Sequence, residues 1–377
     1  MARRPDIGFF EGDLDLQHSS TWDPARLPLE EAERINPLVY RSLTFSLLEN
    51  EAIWTRDWIY IGTTDDIPDA GDLLPYTIGN HGIHVQRMPD GSLEGRFNNA
   101  QHGGCRVVPQ QCQGGTKTKC SFTSCGYSRD RDAISASDSD TSTVLMHQYV
   151  GLRPERLLRI SVAQSGKLIF VNLDGPDKDF AGRTNVPDNH DVRRLFDTRA
   201  SKQWIEMQCN WKRVGEALFA TAASAIDTGT ADVLTAELEA TDQTGKPVPV
   251  SLSWFYPNLI VLKTGHAACT IGIQPTSLGK VLCRIQSFGD ASDTACAQDL
   301  ETLSSLIAGT RDAAERAERD MVSAAQMNLV QPGAARGDAP VSPTQYWAQT
   351  VLIDRLMGMP TTIANDPMYQ PLRHYLI

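Results

Sequence analysis

One short segment holds most of the side chains in this sequence that are suited to binding a metal ion. The window 102–125 supplies one imidazole and four thiols: His102, Cys105, Cys112, Cys120 and Cys125. Thiolate sulfur and imidazole nitrogen are the usual ligands of tetrahedral zinc, and they also hold iron. We therefore predict a structural metal site, most simply zinc, made by His102, Cys112, Cys120 and Cys125, with Cys105 as the alternative ligand.

The same residues admit two other interpretations. The thiols can be unpaired and pack as small hydrophobic groups, or two of them can form a disulfide in an oxidising compartment. The remaining cysteines lie in apolar or helical contexts, where buried thiols are expected rather than metal ligands; they are Cys209, Cys269, Cys283 and Cys296. His81 and His84 have no acidic residue at ligand spacing, so a strand or surface position is expected for them.

Charge and hydropathy exclude several functional classes. The 377 residues carry 46 acidic and 35 basic side chains, for a net charge of −11. Such a surface disfavours broad attraction to nucleic acid or to an anionic membrane. The N-terminus has Arg3 and Arg4 followed by Asp6, where a signal peptide has an apolar core. No run approaches the roughly 18 apolar residues of a membrane span, so we expect a cytoplasmic protein without membrane or nucleic-acid partners.

The elements that must position these residues change in character along the chain. Helical spacing runs from Leu27 to about Glu49, and alternating segments such as Ile83–Arg87 and Leu168–Leu173 then predict short strands. Farther on the pattern is mixed. Helices are predicted at about 214–225, 297–329 and 345–357, with strands around 250–255, 259–262 and 280–285.

These patterns predict an α+β protein with antiparallel strands over a long C-terminal helix. We divide it into an N-terminal arm and helix at 1–50, a β domain at 51–175 and an α+β domain at 176–377.

Several motifs resemble those of one enzyme family. In the first half they are Val39-Tyr40, the stretch from Trp54 through Trp58 to Gly62, Pro68–Asp72, Arg87–Gly91 and Phe97–Gly104. In the second half they are Asn210-Trp211-Lys212 with Glu216, and Glu318-Arg-Asp320 with Gln326. In this order they resemble the α subunits of Rieske non-heme iron ring-hydroxylating oxygenases. The resemblance implies an N-terminal Rieske-like β domain and a C-terminal helix-grip domain.

The resemblance fails at the iron–sulfur motif. A Rieske [2Fe–2S] cluster is held by two thiolates and two imidazoles. Ala100-Gln-His102 stands where the family has Cys-x-His. Cys120 is kept in the second loop, but Cys125 stands near the position of the second histidine. We therefore expect no standard [2Fe–2S] cluster.

The mononuclear iron motif is also missing. The family's acid and two histidines correspond to Ala220, Ala223 and Thr228, and no histidine occurs between His190 and His266. Ala220 also occupies the position of the acid that relays electrons between neighbouring subunits. Two imidazoles and a carboxylate make this kind of iron site, so Asp320 alone remains as a relic position. We expect no mononuclear Fe(II).

A scaffold without its redox centres predicts a structural role. We expect a non-catalytic subunit of a heteromeric Rieske-type oxygenase that hydroxylates aromatic or other cyclic hydrophobic compounds, such as steroids. Its partner would be a homologous catalytic α subunit. In the family, electrons pass from the cluster of one subunit to the iron of its neighbour. A ring in which this chain alternates with catalytic subunits would therefore place each active cluster beside a site without iron. Stacked trimers in an α3β3 hexamer avoid this.

The alternative is an independent oxygenase-like enzyme or a ligand-binding protein with an atypical metal site. Aromatic residues of the second half would then line an apolar pocket; they are Trp204, Trp211, Trp254, Phe255 and Tyr256. Aromatic residues at strand spacing more often belong to a core.

Overall fold

The fold is taken from a computed structural model. It describes residues 14–79, 81–97, 159–175, 178–180, 198–222, 227–230, 232–330 and 340–359. The predicted metal ligands between His102 and Cys125 lie outside these residues, as does Ala223. The chain forms two compact units. One has its described residues within Met1–Ile53 and His190–Met368, and the other within Trp54–Asn189.

The unit within Trp54–Asn189 is built on an antiparallel sheet. Its described strands are β1 (Ile59–Thr63), β2 (Leu73–Ile78), β3 (His81–Arg87), β4 (Leu93–Phe97), β5 (Arg159–Ser165) and β6 (Leu168–Asn172), in the order β1-β6-β5-β4-β3-β2. Asp90 and Gly91 make the turn from β3 to β4: Asp90 Oδ1 accepts from the Ser92 amide, and Gly91 has φ +85°. The strands predicted at Ile83–Arg87 and Leu168–Leu173 are confirmed.

His81 and His84 are both buried within β3. His84 is fully buried, and neither of its ring nitrogens has a hydrogen-bond partner in the described part of the chain. It lies directly across the ladder from Arg96. Burial, aided by the Arg96 charge, lowers the pKa of His84 to about 3, and burial lowers the pKa of His81 to about 4. The strand position expected for both residues is confirmed, and neither is at the surface.

These two histidines should make this unit sensitive to acid. Their pKa values are lower in the folded chain than the ordinary value of 6.5, so the unfolded state takes up protons first. The stabilisation is complete above about pH 6.5 and is lost as the pH falls towards 4, by about 2 kcal/mol per histidine at about pH 5. Urea unfolding should show that the free energy of unfolding lost on acidification is about half as large in His84→Leu as in the native chain.

Ile83→Val, in the same strand, is the matched control for that substitution. It removes one methyl group from a fully buried side chain and should cost about 1 kcal/mol at every pH. If His84→Leu loses as much unfolding free energy between pH 6.5 and pH 5 as the native chain does, the low pKa of His84 is contradicted.

The other unit contains a longer antiparallel sheet. Its described strands are β7 (Arg199–Met207), β8 (Asp227–Thr230), β9 (Val233–Thr241), β10 (Pro247–Phe255), β11 (Leu259–Lys263), β12 (Ala268–Ser277) and β13 (Lys280–Phe288), in the order β7-β13-β12-β11-β10-β9-β8. Side chains alternate along β9, where Leu234 and Leu238 are buried and Glu237 and Glu239 are exposed. Such alternation gives the sheet an apolar face that must be covered.

The described residues of this unit also form five α-helices. They are α1 (Leu38–Arg41), α2 (Leu43–Glu49), α3 (Trp211–Phe219), α4 (Thr294–Val330) and α5 (Pro343–Met357). In α4 the buried residues Leu303, Ile307 and Ala314 recur at helical spacing, and this helix contacts α3, β7 and β9. The predicted α+β class, with an antiparallel sheet packed on a long C-terminal helix, is confirmed.

The helix predicted from Leu27 to Glu49 is wrong in its first half. Residues 27–37 are described and form no helix: the 3₁₀ turn Asp23–Arg26 ends before them, and α1 begins at Leu38. Pro28 and Pro37 explain this, because a proline disfavours helical conformation in the residue before it. Ser42 then starts α2 by accepting a hydrogen bond from the Phe45 amide.

A buried glutamine of α5 attaches the N-terminal arm to the helices. Gln349 donates to the carbonyls of Ala25 (2.7 Å) and Glu33 (3.1 Å), and its Oε1 accepts from the Ile35 amide (3.2 Å). The arm has little regular structure of its own, so its buried backbone groups need side-chain partners.

Helix α3 lies so close to the sheet that one of its positions requires glycine. A methyl group at Gly215 would overlap the indole ring of the buried Trp254. Because interiors are close-packed, the helix can approach the strand this closely only without a side chain.

Gly215→Ala should therefore destabilise the protein by about 1–3 kcal/mol, although alanine is the better helix former. Gly309→Ala is the matched control, because Gly309 is exposed in α4 and nothing lies near its added methyl group. The control should gain up to about 1 kcal/mol. Denaturant unfolding measures both changes. Equal effects at the two positions would contradict the close approach of α3 to Trp254.

Candidate functional site

The candidate site is built around the first turn of α3, where the Asn210-Trp211-Lys212 motif lies. Asn210 caps the helix: its Oδ1 accepts from the Lys212 amide at 3.1 Å. Its Nδ2 donates to the carbonyls of Tyr40 (2.9 Å) and Leu278 (3.2 Å). The helix therefore begins at Trp211, three residues before the start predicted from its apolar periodicity. Asn210 links the arm, α3 and the β12–β13 turn.

Glu216 holds the next group of residues together. Its Oε1 accepts from the Tyr40 hydroxyl at 2.6 Å, and its Oε2 accepts from the Arg213 guanidinium at 2.8 Å. The guanidinium carbon of Arg213 also lies 3.8 Å from the centre of the Tyr40 ring. Burial and the Glu216 charge raise the pKa of Tyr40 well above its usual value. The phenol therefore stays protonated and donates its hydrogen bond.

Lys212 and Glu49 form a buried ion pair. The Lys212 ammonium lies 2.5 Å from Glu49 Oε1, and the Trp211 indole donates to Glu49 Oε2 at 3.4 Å. The ammonium also lies 4.9 Å from the centre of the Trp211 ring and 5.2 Å from that of Tyr40. Burial raises the pKa of Glu49 and lowers that of Lys212, while the attraction between the two charges opposes both shifts.

Glu318 of α4 completes the set. Its Oε1 accepts from the Arg41 guanidinium at 3.2 Å, and its Oε2 accepts from the backbone amide of Asn210 at 3.3 Å. A side chain at Gly279, in the β12–β13 turn, would collide with the Arg41 guanidinium, so this position requires glycine. We call this set the α3 charge cluster: Tyr40, Arg41, Glu49, Asn210, Lys212, Arg213, Glu216 and Glu318.

Of the positions that the resemblance aligns with the family's acid and histidines, Ala220 and Thr228 lie in the described residues, and neither side chain is a carboxylate or an imidazole. Ala220 caps the C-terminus of α3, is exposed, and has no donor atom. Thr228 lies in β8, and Asp320 is exposed on α4, two residues beyond the buried Glu318. In the part of the chain that the structure describes, no three His, Cys, Asp or Glu side chains are grouped so that they could hold a metal.

The cysteines predicted to be core thiols are buried. Cys209, Cys269, Cys283 and Cys296 all lie at 2% exposure or less. Burial raises the pKa of Cys269 and of Cys283 to about 12, so both remain thiols at neutral pH. The prediction that these four residues belong to the core is confirmed.

Three of the aromatic residues proposed to line a pocket pack against other aromatic rings. Trp211 contacts Tyr256 with ring centres 5.8 Å apart, and Trp254 contacts Trp347 of α5 at 5.2 Å. Trp211, Trp254, Phe255 and Tyr256 are all buried. Trp204 is half-buried in β7, with Lys202 over its ring. The buried members behave as core, as expected for aromatic residues at strand spacing.

No protein family model matches the chain. Individual oxygenases do. The α subunit of biphenyl 2,3-dioxygenase from Rhodococcus jostii RHA1 is 27% identical over 203 residues, which are 52% of this chain and 43% of that protein. The glycine betaine monooxygenase oxygenase subunit from Chromohalobacter salexigens is 27% identical over 175 residues, 45% of this chain and 37% of that protein. The matched region spans less than half the length of these relatives.

Solved structures match more of the chain. A quaternary ammonium Rieske monooxygenase bound to gamma-butyrobetaine has a TM-score of 0.58 at 14% identity, covering 89% of this chain and 98% of that one. Naphthalene 1,2-dioxygenase from a Rhodococcus species has a TM-score of 0.55 at 14% identity, covering 84% and 93%. The chain is related to the α subunits of Rieske non-heme iron oxygenases. None of the helices in the described residues of this chain is both long and apolar enough to cross a bilayer.

The Asn210 side chain gives a direct test of the site's construction. Asn210→Ala removes the cap of α3 and leaves two carbonyl groups without their donor. We expect a loss of about 2–4 kcal/mol, the sum of a lost cap and unpaired buried groups.

Ser342→Ala is the matched control, because Ser342 caps α5 but is exposed. It should cost only about 1 kcal/mol. Urea denaturation of both variants measures the difference, and an Asn210→Ala loss no larger than the control's would show that the side chain does not link the three elements.

Proposed function

We propose that the chain is a non-catalytic structural subunit of a heteromeric Rieske-type oxygenase. The observation that carries this proposal is the exposed end of α3, where Ala220 offers no ligand at the position of the family's acid. The neighbouring carboxylates Glu49, Glu216 and Glu318 are each paired with a cation of the chain. The fold resembles that of an oxygenase α subunit, and the paired carboxylates together with Ala220 support a chain without mononuclear iron.

The proposed partner is a homologous catalytic α subunit. Relatives of this chain are themselves named as subunits, including those of biphenyl, chlorobenzene and benzene dioxygenases. The chain would assemble with its partner in the cytoplasm as two stacked trimers, α3β3. In this arrangement each active cluster still faces an active iron site in its own ring.

The substrates proposed for the complex are aromatic or other cyclic hydrophobic compounds. The names of the dioxygenase relatives support this class. The substrate pocket would belong to the partner, because this chain packs Trp211, Trp254 and Tyr256 into its core.

We further propose that this subunit carries neither a [2Fe–2S] cluster nor mononuclear Fe(II). A structural zinc ion would be held by His102, Cys112, Cys120 and Cys125, with Cys105 as the alternative ligand. Four protein ligands close the coordination shell of zinc and leave no position for substrate. The ion would therefore stabilise its segment without taking part in the reaction.

The proposal is tested by oxygen consumption with biphenyl as substrate and a reductase as electron donor. The purified chain alone should consume no oxygen above background. A complex co-expressed with a homologous α subunit that has both ligand motifs should turn over. Native mass spectrometry of the same sample should give equal numbers of the two chains.

Two substitutions separate the roles of the chains within that complex. Replacing an iron-ligating histidine of the catalytic partner should abolish turnover, whereas Ala220→Val in this chain should leave it within about twofold, since the residue is exposed. Substrate-dependent oxygen consumption by this chain alone would overturn the non-catalytic role and favour an independent enzyme.

A further inference from the structure

We infer that the α3 charge cluster is a metal-independent clamp: its paired charges fasten the N-terminal arm, α3 and α4 together and leave no carboxylate available to a divalent cation. The inference rests on the contacts within one compact unit. It therefore goes beyond the proposed function and stands whether or not the chain joins an oxygenase.

Every carboxylate oxygen of the clamp already accepts a hydrogen bond. Glu49 accepts from Lys212 and Trp211. Glu216 accepts from the Tyr40 hydroxyl and from Arg213. Glu318 accepts from Arg41 and from the Asn210 amide. A cation that binds through these oxygens would have to compete with these donors, three of which carry a positive charge.

The charges also balance within the buried space. Three carboxylates face three cations, and the side chains of Lys212 and Glu49 are each only 5% exposed. Displacing Lys212, Arg213 or Arg41 would leave a buried cation without its counter-ion, which is strongly unfavourable. The clamp therefore excludes divalent metal by its own pairing.

The clamp joins elements that are far apart in sequence. Tyr40, Arg41 and Glu49 belong to the arm and its helices, and Glu318 belongs to α4. A bound metal ion can join distant segments in the same way by coupling its binding to folding. In this unit the ion pairs join the arm, α3 and α4, so no metal is needed to hold α3 in place.

The native chain is tested first with Mn²⁺, a cation that prefers oxygen ligands and binds thiolates poorly. Thermal unfolding of the full-length protein should give the same Tm with and without Mn²⁺. A Tm that rises with Mn²⁺ concentration in the native chain but not in Glu318→Gln would mean that a carboxylate of the clamp is available after all, and would overturn the inference.

The second test opens the clamp with Arg41→Met. Glu318 then remains buried without its cation, so the folding equilibrium constant should fall by about a hundredfold or more. Mn²⁺ should recover part of this loss. Arg26→Met is the matched control: Arg26 pairs with Asp354 at the surface, so its change should stay within about fivefold and should not respond to Mn²⁺.

A double variant keeps the test decisive if Arg41→Met does not fold. Arg41→Met with Glu318→Gln removes both charges, and the glutamine oxygen still accepts from the Asn210 amide. It should recover at least about tenfold of the single variant's loss. A single variant no less stable than Arg26→Met, or a double variant no more stable than the single one, would contradict the clamp.

Discussion

Burial of charge at the start of α3 is the constraint on which the rest of this structure depends. Lys212 and Glu216 point into a region from which water is excluded, so each needs a partner from elsewhere in the chain. The arm supplies Glu49 and Tyr40. The arm must therefore fold over the helix layer, although α1 and α2 are the only α-helices in its described residues. Gln349 and Asn210 then satisfy the carbonyl groups that this path buries.

This constraint also explains the chemistry of the site. An iron site requires acids and imidazoles with free lone pairs directed at a common point. The acids around α3 are instead directed at Arg41, Lys212 and Arg213. Ala220, which the resemblance places at the position of the family's acid, has no donor atom in its side chain. The chain resembles an oxygenase in fold, and the proposed structural role rests on that fold together with the paired acids around α3.

The sequence predicts the fold class well because periodicity reports burial. The long helix α4, the strands around 250–285 and the hairpin at Gly91 follow from local patterns. The arm does not, because Pro28 and Pro37 interrupt a helical pattern that the apolar residues alone suggest. The motif Asn210-Trp211-Lys212 with Glu216 marks the site from the sequence. Its partners Glu49, Arg41 and Glu318 lie more than 100 residues away, and no local pattern connects residues at such distances.

The most direct test of the central claim is the metal content of the purified full-length chain, measured by elemental analysis together with its visible spectrum. We expect no iron, no absorbance from an iron–sulfur cluster, and zinc at about one ion per chain, which would fit a single structural site. Two iron atoms with acid-labile sulfide in each chain would show that a Rieske-type cluster is assembled, and would contradict the claim that this chain has lost its redox centres.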